Sequence, residues 1–205
     1  MMEILTMDQG SAAWHEARRG IPTASEFAAV MATGKGGKPS ASRRTYMLKL
    51  AGEIITGEMQ EQFVTAHMVR GHTMEPEARD LYAFVEDQPI QQVGFIRNWG
   101  AGCSPDGLVG DAGLLEIKTN LPHIHIERML ADEYPPEHVA QAMGCLWIAE
   151  REWIDMICYW PKMPRFVKRL YRDEEYIGRL ADAVSAFNEE LAAIVDRIRE
   201  IGGGK

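Results

Sequence analysis

Residues 103–120, CSPDGLVGDAGLLEIKTN, carry Asp106, Asp111, Glu116 and Lys118. In an extended strand, side chains at i and i+2 point to the same face. Glu116 and Lys118 would therefore project together, with Leu115 and Ile117 on the opposite, buriable face. A preceding strand carrying Asp106 and pairing back through the GDAG turn would bring Asp106 beside Glu116. Two carboxylates held close repel unless a cation stands between them. A hard divalent ion such as Mg²⁺ takes carboxylate oxygens and keeps several waters. A lysine at such a site can orient or deprotonate a water and offset the charge that builds on a phosphate. Asp111 falls in the turn itself and reads as a turn residue. Two readings stay open on these residues alone. One is a metal-dependent phosphodiesterase. The other is a surface hairpin whose Glu-x-Lys is a solvated ion pair worth little.

The surrounding elements must hold that hairpin. At 205 residues the chain suits one domain, 1–205, with a full hydrophobic core. Ser11 reads as the cap of a helix that ends near Gly20, and Thr23 or Ser25 as the cap of a second. Residues 34–42, GKGGKPSAS, form a Gly/Lys loop before a helix over 43–56. Residues 61–85 read as helical with interruptions. A restart at Thr73 would place Pro76 in the first turn, where proline is tolerated. Strands follow over about 90–97, 101–109 and 113–119, then an amphipathic helix over 135–150. EWIDMICYWP, 152–161, is a nearly continuous apolar run and reads as a buried central strand, with a further strand near 165–171. The last helix runs from about Asp173 to Ile201. Its stripe of Ile177, Leu180, Val184, Phe187, Leu191, Ile194, Ile198 and Ile201 suits core packing, or else a subunit contact. The expected class is α/β, a mixed central β-sheet flanked by helices.

Composition narrows the function classes. No apolar run reaches the roughly 18–20 residues of a membrane span, and no signal-peptide pattern opens the chain. Cys103, Cys145 and Cys158 are widely spaced with no CxxC, which fits buried thiols in a reducing cytoplasm. A net charge of −8 argues at first against a polyanion partner. Its distribution does not. Lys35, Lys38, Arg43, Arg44 and Lys49 lie in a stretch without acids, and so do Lys162, Arg165, Lys168, Arg169 and Arg172. Segregated charge is what a nucleic-acid groove in an acidic shell needs, although two basic surface segments without a partner would look the same.

Asp106…Glu116-x-Lys118 matches the signature of the PD-(D/E)xK nuclease superfamily, whose restriction-endonuclease-like core is an α/β fold. More narrowly, the chain resembles the lambda exonuclease, or YqaJ-type viral recombinase, family. Four blocks carry the resemblance in order: AWHEARRGIPTASE (13–26), RGHTMEPEARDLY (70–82), CSPDGL…LEIK, and VAQAMGCLW (139–147). The resemblance implies that Glu75, Asp106, Glu116 and the Ile117 carbonyl bind Mg²⁺, two ions being expected and Mn²⁺ able to substitute. It implies that Lys118 activates the attacking water and that Gln141 positions Lys118 or the phosphate. Arg18, Ser25 and Ser104 would hold a terminal 5′-phosphate; a guanidinium fork suits a phosphate dianion. The family often carries an aromatic four residues after the glutamine, where this chain has Cys145. Composition alone suggests that Lys35 and Lys38 make phosphate contacts at the entrance of a ring, or belong only to a loose loop. A 5′-to-3′ exonuclease is implied, which digests linear double-stranded DNA to mononucleotides and leaves a 3′ single strand. A homotrimeric ring and a single-strand annealing protein as partner in phage recombination are implied with it. The alternatives are a sequence- or structure-specific endonuclease of the same superfamily, and a non-catalytic DNA-end-binding protein. His123 and His125 in PHIHIE would share a face on a strand, but no third ligand lies in the nearby pattern.

Overall fold

The protein is described by a computed structural model covering residues 1–60 and 66–203. Strands β1 (Glu3–Leu5), β2 (Ile90–Gln91), β3 (Phe95–Asn98), β4 (Ala101–Cys103), β5 (Gly107–Val109), β6 (Gly113–Lys118), β7 (Trp153–Cys158) and β8 (Phe166–Tyr171) alternate with seven helices. These are α1 (Ala12–Arg18), α2 (Phe27–Met31), α3 (Ala41–Thr56), α4 (Ala66–Glu86), α5 (Pro122–Ala131), α6 (Pro136–Ile148) and α7 (Glu174–Gly203). The main sheet has the order β2-β5-β6-β7-β8. Only β6 and β7 run parallel, with Gly113 opposite Trp153 and Lys118 opposite Cys158. The crossover that parallel pairing requires is supplied by α5 and α6. A smaller sheet, β1-β3-β4, lies beside it. The expected mixed sheet flanked by helices is what forms.

Two clusters of buried side chains grip the hairpin from its two sides. Leu114 packs into the larger cluster with Met143, Leu146, Leu180, Val184 and Phe187. Leu115 and Ile117 pack into the other with Ala78, Tyr82 and Ile157. The strand alternation read from LLEIK is thus realised. The stripe on α7 is core from Ile177 to Val195, whereas Ile198 and Ile201 are exposed. No helix among the described residues is long and apolar enough to cross a membrane. Cys103, Cys145 and Cys158 are all buried and free.

Several boundaries differ from expectation. The strand expected over 101–109 is two strands in different sheets. Pro105 lacks an N–H for a ladder bond, and the chain changes sheet across Ser104–Asp106. The first two residues of the expected 90–97 strand and its last three likewise part company, β2 joining one sheet and β3 the other. Thr23 and Ser25 cap no α-helix. A 3-10 turn at Ala24–Glu26 precedes α2, and Thr23 makes no side-chain capping bond. Ser40 caps α3, its Oγ accepting from the Arg43 N–H, so that helix starts two residues early. Helix α4 already runs at Ala66, which places Pro76 inside it instead of in its first turn. The part of the expected 61–85 helix at 61–65 lies outside the described residues. Residues 122–131 are helical, so His123 and His125 do not share a strand face. His125 is fully buried, with Nε2 2.8 Å from the Pro164 carbonyl oxygen. It is a core histidine.

Candidate active site

The hairpin pairs Gly107 with Leu115 and Val109 with Gly113, and the Asp106 N–H extends the ladder by donating to the Leu115 carbonyl at 3.0 Å. The chain then turns Asp106 back over β6, where its Oδ2 accepts the Ile117 N–H at 2.5 Å. Asp106 is thereby fixed one residue from Glu116. Arg79 on α4 secures the same corner, its Nε donating to the Asp106 carbonyl at 3.1 Å.

Glu116 is buried. Its Oε1 accepts Lys118 Nζ at 2.7 Å and Gln141 Nε2 at 2.8 Å. Its Oε2 is buried with no hydrogen-bond partner. A buried carboxylate oxygen without a partner is costly unless something else occupies it. Burial, then the charges of Glu116 and Glu75, push the Asp106 carboxyl well above the usual carboxylate range, against the Ile117 N–H and Lys118. Burial pulls Lys118 down, but Glu116 and Asp106 outweigh it and its ammonium is raised. Glu75, half-buried on α4, thus acts on Asp106 through space. Among the described residues, no three His, Cys, Asp or Glu side chains are arranged to enclose a metal ion as they stand. The donor set nevertheless fits a hard cation. It is all oxygen, it concentrates like charge, and it keeps one buried oxygen unsatisfied. Asp111 stays in the turn, as expected.

Next to this carboxylate pair lies a cavity of about 180 Å³, lined among others by Trp14, Arg18, Ser25, Ser104 and Gln141. Ser11 caps α1 through the Trp14 N–H, and helical spacing then sets Trp14 and Arg18 on one face. The Arg18 guanidinium lies 4.1 Å over the Trp14 ring. It donates to Ser104 Oγ at 3.2 Å and to Thr23 Oγ1 at 3.4 Å, and Thr23 in turn lies 3.3 Å from Ser25 Oγ. Ser104 Oγ also accepts the Trp14 indole N–H at 2.9 Å. With both lone pairs engaged, the Ser104 O–H is left to donate. Burial lowers the Arg18 pKa, against the pull of neighbouring groups that favour its charge. A desolvated cation beside hydroxyl donors is a site for an anion.

A family model described as YqaJ-like viral recombinase domain matches residues 13–152. The chain belongs to the YqaJ-like viral recombinase family. No protein with a curated description matches it. Among solved structures, the alkaline exonuclease LHK-Exo from Laribacter hongkongensis is 33% identical with a TM-score of 0.85, over 94% of this chain and 98% of that one. The same exonuclease in complex with dAMP gives 34% identity and a TM-score of 0.86, over the same shares of the two chains. A phage related exonuclease from Haemophilus somnus shares the fold at 13% identity, with a TM-score of 0.69 over 90% of this chain and 99% of that one. The PD-(D/E)xK-type fold expected from the sequence is thus present.

In this YqaJ-like chain, the structure gathers Arg18, Ser25, Ser104 and Gln141 at one cavity and Asp106, Glu116, Ile117 and Lys118 at the adjoining hairpin. Lys35 and Lys38 are exposed on the loop before α3 and line neither. Half of the cations in the two basic segments are spent on ion pairs within the fold, four of them in the second segment. Arg43 pairs with Glu190, Arg165 with Glu86, Lys168 with Asp132, Arg169 with Asp155 and Arg172 with Glu174. Sequence reasoning missed Trp14, Thr23 and His138. The i, i+4 spacing of Trp14 and Arg18 was a usable signal. For His138, one turn before Gln141 and close enough to Lys118 to be lowered by burial and by that charge, it was the helical spacing alone.

Proposed function

We propose that the chain is a Mg²⁺-dependent 5′-to-3′ exonuclease that digests linear double-stranded DNA to mononucleotides and leaves a 3′ single strand. Its family and its likeness to an alkaline exonuclease make it a deoxyribonuclease. The finer reading rests chiefly on one observation. Gln141 lines the Arg18 cavity and donates to Glu116, so the anion pocket and the carboxylate pair share a side chain. An enzyme that cuts inside a strand has no use for a pocket built for a terminal phosphate.

Asp106 and Glu116, with Glu75 and the Ile117 carbonyl, would hold the Mg²⁺. The ion would supply Lewis-acid stabilisation of the phosphate charge. The chain's own residues do the rest. Arg18 and the Ser104 and Ser25 hydroxyls bind the terminal 5′-phosphate. Lys118 Nζ orients the attacking water from the face that carries Glu116, and Gln141 holds Glu116 in place. Lys35 and Lys38 would meet the duplex backbone outside the cavity. One domain suffices for this chemistry, with a homotrimeric ring around the duplex and a single-strand annealing protein to receive the product.

The test is digestion with Mg²⁺ of a linear duplex bearing 5′-phosphates, the same duplex with 5′-hydroxyls, and a closed circle. Wild type should degrade the phosphorylated linear DNA fastest and spare the circle, and Lys118→Ala should degrade nothing. Cutting of the circle would instead indicate an endonuclease. Retention of all three substrates, with binding to the linear ends, would indicate an end-binding protein.

A further inference from the structure

Cys103 closes β4, Cys145 lies on α6, and these two elements pack directly against each other. Both thiols are free, and both line the cavity that holds Arg18, Ser25, Ser104 and Gln141. They also touch. Contact with the Cys103 thiol, then burial, holds the Cys145 thiol protonated well above its usual range. The Arg18 guanidinium is near enough to feel both sulfurs. Cys158, on β7, belongs to a different cluster with Met156 and Phe166. The chemistry proposed above uses none of these sulfurs.

We propose that Cys103 and Cys145 form a redox modification site, closed to a disulfide by hydrogen peroxide, and that closure disables the 5′-phosphate pocket. The second half rests on the reading of that pocket given above. The first half does not.

The steps balance as follows. The Cys103 thiol gives its proton to solvent and its thiolate attacks the peroxide: the sulfur gains one oxygen as a sulfenic acid, the O–O bond breaks, and the departing hydroxide takes up a proton from solvent to leave as water. The Cys145 sulfur then attacks the Cys103 sulfur. The S–S bond forms, the S–O bond breaks, and the departing hydroxide takes the Cys145 proton as water. Two thiols and one peroxide become one disulfide and two waters. The cavity, about 180 Å³, admits a molecule of that size. Cys145 as a protonated neighbour is the resolving thiol.

A disulfide fixes both backbones at a specific separation and dihedral. Ser104 directly follows Cys103, and Gln141 lies one helical turn before Cys145. Closure therefore acts on two of the pocket's polar groups at once.

The full chain, reduced and then treated with hydrogen peroxide, should lose two hydrogens in intact mass. Peptide mapping should find Cys103 joined to Cys145 with Cys158 still reduced, and dithiothreitol should reverse the change. Cys158→Ala should still form the link. Cys145→Ser and Cys103→Ser, either of which suffices if the other folds poorly, should not. The oxidised enzyme should digest 5′-phosphorylated linear duplex about tenfold more slowly or worse, the scale of one lost charge-assisted hydrogen bond. Absence of the Cys103–Cys145 link, or its replacement by sulfinic acid, overturns the site. A link that leaves the rate unchanged overturns the effect on the pocket. If the reduced enzyme ignores the 5′-phosphate, the pocket reading fails, and the mass measurement still decides on the disulfide.

Discussion

Gln141 Nε2 lies 2.8 Å from Glu116 Oε1, on the oxygen that Lys118 Nζ already meets at 2.7 Å. Two donors on one oxygen leave Oε2 buried and unpartnered. Helix α6 thus aims a carboxylate that belongs to β6. Truncating Gln141 to Ala removes a hydrogen bond to a charged group, worth about 1.5–3 kcal/mol. The turnover of 5′-phosphorylated linear duplex should fall by about one to two orders of magnitude. A kcat within a factor of about two of wild type would separate Gln141 from the reaction.

Arg18 sits in a setting that suits a planar fork. One face lies over Trp14, and its nitrogens reach Ser104 and Thr23. Lysine carries the charge without the plane. Arg18→Lys should therefore resemble Arg18→Ala: each should abolish the preference for 5′-phosphate over 5′-hydroxyl ends. The rate on 5′-hydroxyl DNA should stay close to that of wild type. Full preference in the lysine variant would mean that charge alone recognises the end.

The hairpin was legible in the sequence because period-2 alternation in LLEIK directly determines which side chains share a face. Asp106 was legible in position but not in manner. It reaches Glu116 from a turn outside β5, by accepting the Ile117 N–H. The 3-10 turn at Ala24–Glu26 was hidden because Thr23 looks like a cap. Its hydroxyl is taken instead by Arg18, a tertiary contact that local pattern does not contain. Helix α5 was missed because PHIHIE alternates like a strand, whereas Pro122 at its first turn and burial of His125 decide for a helix. The ion pairs of Lys168, Arg165 and Arg43 were out of reach for the same reason: Asp132, Glu86 and Glu190 are distant in sequence from the cations they meet.

Close approach of α6 to the N-terminal block depends on Gly144. A Cβ there would lie 2.4 Å from Phe27 Cδ2 and 3.1 Å from Ala24 Cβ. Phe27 is fully buried and has nowhere to yield. Gly144→Ala should cost about 1–3 kcal/mol through overpacking, even though alanine is the better helix former. Denaturant unfolding would measure it as a lower midpoint at unchanged slope. An unchanged or raised midpoint would mean that α6 can shift away from Phe27 freely.

Asp155 joins three elements away from the carboxylate pair. Buried on β7, it accepts Tyr82 from α4 at 2.6 Å and two bonds from Arg169 of β8 at 2.8 Å each. Asp155→Ala would leave the Tyr82 hydroxyl and one face of the guanidinium unpaired. Because Arg169 keeps access to solvent, the loss should be about 2 kcal/mol, below that of a fully buried pair. The expected result is a lower unfolding midpoint with the 5′-phosphate preference intact. Loss of that preference without loss of stability would place Asp155 in recognition instead.

The electrostatics of the hairpin set stability against cation binding. Burial and the charges of Glu116 and Glu75 disfavour an ionised Asp106. Asp106→Asn keeps an oxygen for the Ile117 N–H and removes the charge. Without divalent ions, this variant should be more stable than wild type by about 0.5–2 kcal/mol, as when a strained functional group is relieved. Mg²⁺ should raise the melting temperature of wild type, because a ligand bound only by the folded state stabilises it. It should do little for the variant, whose site has lost a charged ligand. Differential scanning fluorimetry with and without Mg²⁺ measures both effects with no reaction running. Equal Mg²⁺ shifts in the two proteins would place the cation somewhere other than Asp106. A less stable variant in the absence of ions would mean that the Asp106 carboxylate is held by attraction stronger than the repulsion it meets.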